Sequence, residues 1–301
     1  MLLSSAQNYL NYLNTQPLLY TMSPEEARAL RKSSKSQQYA DNILIEDIEI
    51  ATRDRANVTV RNYEPASGEY EATILYIHGG GWVINSIETS DASCIEIVKK
   101  SGYRVVSVDY RLAPEYKFPI PLYDCHDAYL WLREDENNRG SQAPIFVAGD
   151  SAGGNLASAV TQLPHGDEIA GQILLYPVAS LTYDSPSYAQ FGQGFGLDKR
   201  AMEWFGEHYV SSELERFDTK VHLLNAKIEQ APPSFVVVAE YDVLRDEGIA
   251  YAEKLALVNG QSQLVVKGGL VHSYFTRNEF FVHEIDLTID EIIAFVQSVM
   301  E

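Results

Sequence analysis

The chain has 301 residues, of which 46% are hydrophobic and 22% charged, so it has enough apolar material for a sizeable core and is not intrinsically disordered. Asp and Glu number 42 against 23 Lys and Arg, which gives a formal net charge of −19. A surface this acidic repels nucleic-acid phosphates and anionic lipid headgroups, so we expect no nucleic-acid partner and no membrane partner.

The cysteine count and the start of the chain bear on the cellular compartment. Cys94 and Cys125 are too few for a disulfide framework. No basic residue precedes Arg28, and no apolar signal segment opens the chain. The longest mostly apolar runs, 72–77 and 235–239, are too short to span a bilayer. The sequence predicts a cytoplasmic protein, and we expect a monomer or a homodimer.

The first predicted elements are a helix and a pair of strands. A start signal at Ser23, followed by Pro24 and two acids, predicts a helix running through Arg31. Period-two alternation predicts an antiparallel pair of strands at 43–50 and 57–63. The alternation slips once inside the first strand, and we interpret the slip as a bulge.

Buried strands and helices then alternate along the rest of the chain. The predicted strands are 72–77, 103–108, 143–148, 169–176, 234–239 and 263–267. The predicted helices lie around 91–100, 123–133, 152–162 and 284–299. Nearly continuous apolar strands in such an order indicate an α/β protein with a mostly parallel central sheet and helices on both faces.

Two segments stand outside this alternation. One is the N-terminal region of about 1–40. The other is 180–220, which is rich in glycine and in aromatic residues that we expect to be exposed near strand ends. We expect a single domain over 1–301, with a helical cap formed by these two segments.

The sequence Gly149-Asp150-Ser151-Ala152-Gly153 matches G-x-S-x-G and stands between a predicted strand and a predicted helix. In that context the pattern is typical of a nucleophile elbow, where a serine occupies a strained turn and flanking glycines let neighbouring backbone approach. A plain structural turn is the alternative. The context favours Ser151 as a nucleophile.

A glycine cluster, His78-Gly79-Gly80-Gly81-Trp82, follows the strand at 72–77. Consecutive glycines leave backbone N–H groups free to approach a substrate oxygen, as in the HGGG-type oxyanion loop of lipases and esterases. A flexible turn and a phosphate loop are the alternatives, and the second fails because no Gly-Lys-Ser or Gly-Lys-Thr follows. We expect His78 to be a structural residue of this loop.

A serine nucleophile needs a carboxylate and a histidine, which follow in the order Ser, Asp or Glu, His in this class of fold. Asp242 closely follows the predicted strand 234–239, and His272 comes after the last strand. We expect Glu240, Asp246 and Glu247 to be solvated surface residues. His283 also follows Asp242, but an exposed or capping role suits its place at the start of the last helix.

No metal or cofactor is expected from the sequence. Neither HExxH nor any cluster of Cys and His with ligand spacing occurs.

The chain resembles the hormone-sensitive-lipase-like branch of the α/β-hydrolases, which includes bacterial acetyl esterases and carboxylesterases. Besides the two glycine motifs, the resemblance rests on the blocks 109–115 (DYRLAPE) and 239–248 (AEYDVLRDEG), in the same order over about 70–275. The chain departs from the family directly after the histidine, where the family often has Gly-Phe and this chain has Ser273-Tyr274.

The resemblance implies an α/β-hydrolase fold with a helical cap. It implies a catalytic triad of Ser151, Asp242 and His272. It also implies an oxyanion hole formed by the backbone N–H groups of Gly80, Gly81 and Ala152.

Hydrolysis of small, short-chain carboxylic esters through an acyl-enzyme is the function that these residues favour. A non-catalytic small-ligand binding protein on the same fold is one alternative, although such proteins are expected to lack the histidine. An amidase with the same triad is another.

The predicted cap also offers candidate substrate-binding residues. We expect Met202, Phe205 and Tyr209 to share one helical face. That face either packs the cap onto the domain or closes an acyl pocket. The expected pocket residues are Trp82, Phe195, Leu197, Met202 and Phe205.

Overall fold

A computed structural model describes residues 1–30 and 42–301. In this part of the chain eight strands form one sheet, in the order β1-β2-β4-β3-β5-β6-β7-β8. The strands are β1 (Ile43–Ala51), β2 (Asn57–Pro65), β3 (Thr73–Ile77), β4 (Arg104–Asp109), β5 (Ile145–Asp150), β6 (Gly171–Leu175), β7 (Ser234–Tyr241) and β8 (Gln263–Val271). β1 pairs antiparallel with β2, and β2 pairs antiparallel with β4, whereas all other pairs are parallel. The mostly parallel sheet is therefore confirmed.

Helices cover the sheet and connect its parallel strands. They are α1 (Ser4–Leu13), α2 (Pro24–Leu30), α3 (Ile87–Ser101), α4 (Ile120–Arg139), α5 (Ala152–Val160), α6 (Pro186–Phe191), α7 (Lys199–Tyr209), α8 (Glu213–Arg216), α9 (Arg245–Val258) and α10 (Asn278–Met300). Each helix predicted between strands is present, and α3, α4 and α10 are longer than predicted. The predicted end of the N-terminal helix at Arg31 lies outside the described residues, as does the part of the expected cap at 31–40.

The two faces of the sheet bury separate apolar clusters. In β3, Leu75 and Ile77 belong to the cluster on one face, whereas Ile74 and Tyr76 belong to the cluster on the other. Successive side chains of a strand point to opposite faces, so a strand covered on both sides must be apolar throughout. This is why the central strands are continuous apolar runs.

The edge strand β1 differs from the sequence-based interpretation. Its register with β2 is continuous from Ile43 to Ala51, so the expected bulge is absent. Ile43 lies in the cluster on one face, and Ile50 lies in the cluster on the other. The apparent slip is a change of the face that is covered: the first half of the strand buries one side and the second half buries the opposite side.

The described residues of the two segments outside the alternation, 1–30 and 180–220, contact loops at the carboxyl ends of the parallel strands. Helices α6, α7 and α8 all fall between β6 and β7. Arg28 of α2 donates hydrogen bonds to the carbonyl oxygens of Val83 (2.7 Å) and Ala113 (2.6 Å), and it pairs with Glu115. The N-terminal region is thus attached to the loop that follows the HGGG sequence.

The covered faces of β1 lead to a stability prediction. Ile50→Ala should destabilise the protein by about 2–4 kcal/mol, because Ile50 is buried and its loss leaves a cavity. Leu44→Ala, at an exposed position of the same strand, should change stability by less than about 0.5 kcal/mol. Thermal unfolding midpoints of the two variants provide the measurement, and equal shifts would contradict the assignment of faces.

Candidate active site

Ser151 lies at a strained turn between β5 and α5. Its backbone has φ 56° and ψ −119°, in a region that side-chain-bearing residues rarely adopt. The turn is held because the Ser151 N–H donates to the carbonyl oxygen of Leu175 at 2.9 Å. A Cβ at Gly153 would overlap the carbonyl oxygen of Ile77, and one at Gly149 would overlap the Gly153 carbonyl. Only glycines therefore allow the elbow to press against the end of β3.

Three loops bring Ser151, Asp242 and His272 together. Nε2 of His272 lies 2.9 Å from Oγ of Ser151, and Nδ1 lies 2.7 Å from Oδ2 of Asp242. All three side chains are buried. The residues follow β5, β7 and β8, whose parallel carboxyl ends meet at one edge of the sheet.

These contacts fix the roles of the two imidazole nitrogens. A carboxylate only accepts hydrogen bonds, so Nδ1 of a neutral His272 carries the proton and donates to Asp242. Nε2 then accepts from the hydroxyl of Ser151. The other carboxylate oxygen of Asp242 accepts the N–H of Leu244 at 3.0 Å, which orients the carboxylate toward the histidine. The geometry is that of a nucleophile, a base and an orienting acid.

The glycine loop lies beside the elbow. Gly80 has φ 113° and Gly81 has φ 57°, both in the region that favours glycine. Among the described residues neither backbone N–H has a hydrogen-bond acceptor. Ala152 begins α5, where an N–H has no partner inside the helix. The three expected oxyanion donors thus lie in the loop after β3 and at the start of α5, which follows β5. These two strands are neighbours in the sheet.

His78 is a buried structural part of this loop. Its Nδ1 is 2.7 Å from the carbonyl oxygen of Gly79, and its ring stacks on Tyr110 with centroids 4.3 Å apart. Tyr110 also donates its hydroxyl proton to the His78 carbonyl oxygen at 2.9 Å. Burial lowers the pKa of His78, which favours the neutral ring.

Asp150 joins the elbow to the glycine loop, a role that the sequence analysis missed. Its Oδ1 accepts the hydroxyl of Tyr76 and the N–H of Gly79, each at 3.0 Å. Burial raises the pKa of this carboxyl above its ordinary value, while the two donors favour the charged form. The one available signal was an acidic residue inside a small-residue turn, because such a residue needs hydrogen-bond partners once it is buried.

Glu247 was expected to be a solvated surface residue, and that expectation is wrong. It is 2% exposed, and its Oε1 accepts the N–H groups of Ala179 (2.8 Å) and Ser180 (3.1 Å). Glu247 lies in the first turn of α9, shortly after Asp242. It therefore ties the start of the segment between β6 and β7 to the loop that holds the acid.

The departure at Ser273 leaves the turn after His272 intact. Ser273 has φ 65°, the left-handed conformation that a glycine would adopt most easily. His283 lies exposed within α10, in keeping with the role expected for it. Because of its exposure, His283 lacks the buried environment that His272 has.

The aromatic residues of 180–220 are mostly buried, contrary to the expectation. Met202, Phe205 and Tyr209 share one buried face of α7, as predicted. Tyr209 stacks on Trp82 with centroids 4.2 Å apart, and the Phe205 ring covers Gly81 so closely that a Cβ there would overlap it. The prediction that these residues are exposed is wrong because this face of α7 packs directly on the glycine loop.

Phe195 and Leu197 lie on a different part of the same segment. Phe195 is half-buried and stacks on Tyr241, with centroids 5.7 Å apart, and Tyr241 directly precedes Asp242. Leu197 is half-buried against the core. The five expected pocket residues thus divide into two groups. Trp82, Met202 and Phe205 lie at or near the glycine loop, whereas Phe195 and Leu197 lie elsewhere in the segment, with Phe195 against Tyr241.

In residues 1–30 and 42–301, no group of three or more His, Cys, Asp and Glu side chains is arranged to hold a metal ion. No helix within those ranges is long and apolar enough to cross a membrane.

Comparison with known proteins agrees with this fold. A family model described as the alpha/beta hydrolase fold matches residues 74–276. The chain is 35% identical to an ethyl acetate hydrolase of Pseudomonas putida, over 80% of this chain and 79% of that protein. It is 32% identical to the carboxylesterase NlhH of Mycobacterium tuberculosis, over 87% of this chain and 86% of the relative.

A solved structure is similar over the full length. The ester-hydrolase EH1AB1 from the metagenome of Lake Arreo, solved with a bipyridine phosphonate derivative, is 32% identical, with a TM-score of 0.89 and 99% of both chains covered. The chain belongs to the α/β-hydrolases, in their hormone-sensitive-lipase-like branch. The resemblance drawn from the motifs is therefore confirmed.

Glu247 makes stability depend on pH. Burial raises its pKa from 4.5 to about 8, so the folded protein holds this proton where the unfolded chain has lost it. The contribution of this bound proton to the stability of the folded protein is complete below pH 4.5, and it is lost as the pH rises through about 8. Glu247→Gln keeps an acceptor oxygen without the charge, so its thermal midpoint relative to wild type should rise between pH 5 and pH 9.

The matched control for this experiment is Glu253→Gln, at an exposed position of α9. Its midpoint should stay parallel to that of wild type over the whole pH range. The assignment fails if the Glu247→Gln curve is also parallel.

Proposed function

We propose that this protein is a serine carboxylic ester hydrolase that acts through an acyl-enzyme. One observation carries the proposal: the His272 imidazole lies within hydrogen-bonding distance of both the Ser151 hydroxyl and the Asp242 carboxylate. Membership of a family whose relatives include an ethyl acetate hydrolase and a carboxylesterase supports the same activity.

The reaction begins when Oγ of Ser151 attacks the ester carbonyl carbon and its proton passes to Nε2 of His272. Asp242 stabilises the resulting imidazolium through Nδ1. Nε2–H then gives the proton to the alkoxy oxygen as the carbon–oxygen bond breaks and the alcohol leaves. Water, deprotonated by Nε2 of His272, then attacks the acyl carbon. As the bond between that carbon and Oγ breaks, Nε2–H returns the proton to Oγ of Ser151 and the carboxylic acid leaves.

Negative charge develops on the carbonyl oxygen in both tetrahedral intermediates. We assign its stabilisation to the backbone N–H groups of Gly80, Gly81 and Ala152, which lie in the loop after β3 and at the start of α5. Such donors are effective because they are oriented before the reaction starts, and removing one costs roughly 10²–10³ in turnover.

The substrates we propose are small esters with short acyl chains. We assign Trp82, Phe195, Leu197, Met202 and Phe205 to the border of the pocket, as part of a cap formed by about 1–40 and 180–220 on a single domain. Phe205 forms the inner wall of this pocket because its ring covers Gly81. Met202 and Trp82 are fully buried, so we place them behind that wall.

A non-catalytic ligand-binding protein is the competing function of another class. The presence of His272 in hydrogen-bonding distance of Ser151 argues against it, and turnover of p-nitrophenyl acetate distinguishes the two. We place the enzyme in the cytoplasm as a monomer or homodimer, without a cofactor.

Removal of the nucleophile tests the mechanism. Ser151→Ala should lower esterase kcat by a factor on the order of 10⁶ without unfolding the protein, because the side chain lies on a turn and contributes little packing. His272→Ala should be nearly as severe, measured with p-nitrophenyl acetate. The control His283→Ala should stay close to wild type. A tenth of wild-type activity in Ser151→Ala, or a reversed ranking of the two histidines, would refute the assignment.

Acyl-chain length tests the pocket. With p-nitrophenyl esters from acetyl to lauroyl, kcat/KM should be highest from acetyl to butyryl and low beyond about eight carbons. In a long pocket, by contrast, each additional buried methylene would strengthen substrate binding by roughly 0.8 kcal/mol, so kcat/KM would rise with chain length. Phe205→Ala should raise the ratio of hexanoyl to acetyl kcat/KM. Phe217→Ala, at an exposed aromatic residue of the same segment, should not. An optimum at decanoyl or longer esters in wild type would sink the proposal.

A further inference from the structure

Tyr176 occupies an unusual backbone position next to the proposed site. It directly follows β6, and its φ of 39° lies in the left-handed region that favours glycine. Its N–H donates to the carbonyl oxygen of Val237 at 2.5 Å, and the carbonyl of its neighbour Leu175 accepts the N–H of Ser151. The strained residue is therefore built into the same turn that holds the nucleophile.

The side chain of Tyr176 is buried against the catalytic imidazole. Its ring centroid lies 4.8 Å from that of His272, at an interplanar angle of 63°. On its other side it meets Tyr274 at 5.6 Å and 62°. Tyr274 is anchored in turn by its hydroxyl, 2.9 Å from Oγ1 of Thr288 on α10. A packed row of rings thus joins His272 to the core.

The two hydrogen bonds of His272 act at its ring nitrogens and in the plane of the ring. Displacement of the imidazole out of that plane, through small changes of χ1 and χ2, stretches both bonds only slightly at first, so it is opposed mainly by the side chains that pack around the ring. The ring must keep its plane during catalysis, because Nε2 first accepts a proton from Ser151 and then delivers it to a leaving oxygen. A rigid group against the ring supplies the missing restraint.

We propose that Tyr176 is a positioning residue whose aromatic ring sets the orientation of the His272 imidazole. Strained backbone persists where the surrounding structure enforces it, and such strain clusters at functional sites. Here the left-handed backbone at Tyr176 accompanies a side chain packed edge-on against the histidine. The inference rests on the proposed function, since it concerns the base of that reaction.

The test compares Tyr176→Phe with Tyr176→Leu. Both variants keep a side chain at the left-handed position, but only Phe keeps the ring. Tyr176→Leu should lower kcat for p-nitrophenyl acetate by about 10–100-fold with KM nearly unchanged, because displacement of a catalytic group by a fraction of an ångström has effects of this size. Tyr176→Phe, which keeps the ring, should retain a kcat within about threefold of the wild-type value.

A spectroscopic measurement separates positioning from general stability. The proton on Nδ1 of His272, observed by ¹H NMR in its hydrogen bond to Asp242, should give a sharp downfield signal in wild type and in Tyr176→Phe. It should broaden or disappear in Tyr176→Leu at temperatures where that variant is folded. The signal needs no substrate, so this result is independent of whether the protein hydrolyses esters.

Phe295→Leu is the matched control. Phe295 is buried on α10 and packs against Phe146 and Phe235, with centroids 6.4 and 5.5 Å apart. Its replacement should lower the thermal midpoint but leave kcat and the His272 signal unchanged. The proposal is overturned if Tyr176→Leu retains wild-type kcat and a sharp signal, if Tyr176→Phe loses as much kcat as Tyr176→Leu, or if Phe295→Leu loses as much.

Discussion

The Asp150 carboxylate couples the two loops on which the proposed chemistry depends. It accepts the N–H of Gly79, just before the oxyanion donors, and it directly precedes Ser151 in the chain. The contact requires the elbow to approach the end of β3 so closely that Gly153 admits no side chain. Because one buried carboxylate holds both loops, the distance between the proposed nucleophile and the proposed oxyanion donors is set by the core rather than by flexible surface segments.

The segment between β6 and β7 is attached to this arrangement at two points. Glu247 binds the backbone where the segment begins, and Phe205 covers Gly81 where α7 crosses the glycine loop. The first attachment lies close to Asp242 in the chain, and the second lies at Gly81, one of the proposed oxyanion donors. The proposed cap and the proposed triad are therefore parts of one packed unit, and a substitution in the cap changes the environment of the reacting groups as well as the size of the pocket.

The sequence predicts the sheet and its helices because apolar periodicity is a local signal, and the surrounding glycine motif identifies Ser151. Asp242 and His272 follow instead from the order of such triads along the chain and from the resemblance to the α/β-hydrolases. The burial of Asp150 and Glu247 could not be predicted from such local signals. Glu247 is an ordinary helix residue in the sequence, and its burial depends on backbone groups 68 positions away. The slip in β1 is likewise ambiguous until both faces of the sheet are seen to be covered. The contact of Tyr176 with His272 joins residues that no local pattern connects.

Covalent trapping tests the central claim, that Ser151 is a nucleophile activated by His272, more directly than turnover does. The protein is incubated with diethyl 4-nitrophenyl phosphate, the released 4-nitrophenol is counted, and the modified peptide is identified by mass spectrometry. We expect one equivalent of 4-nitrophenol to be released per chain, a single diethylphosphoryl group on Ser151, and a much slower reaction in His272→Ala. Modification of another residue, or equal rates in wild type and His272→Ala, would contradict it.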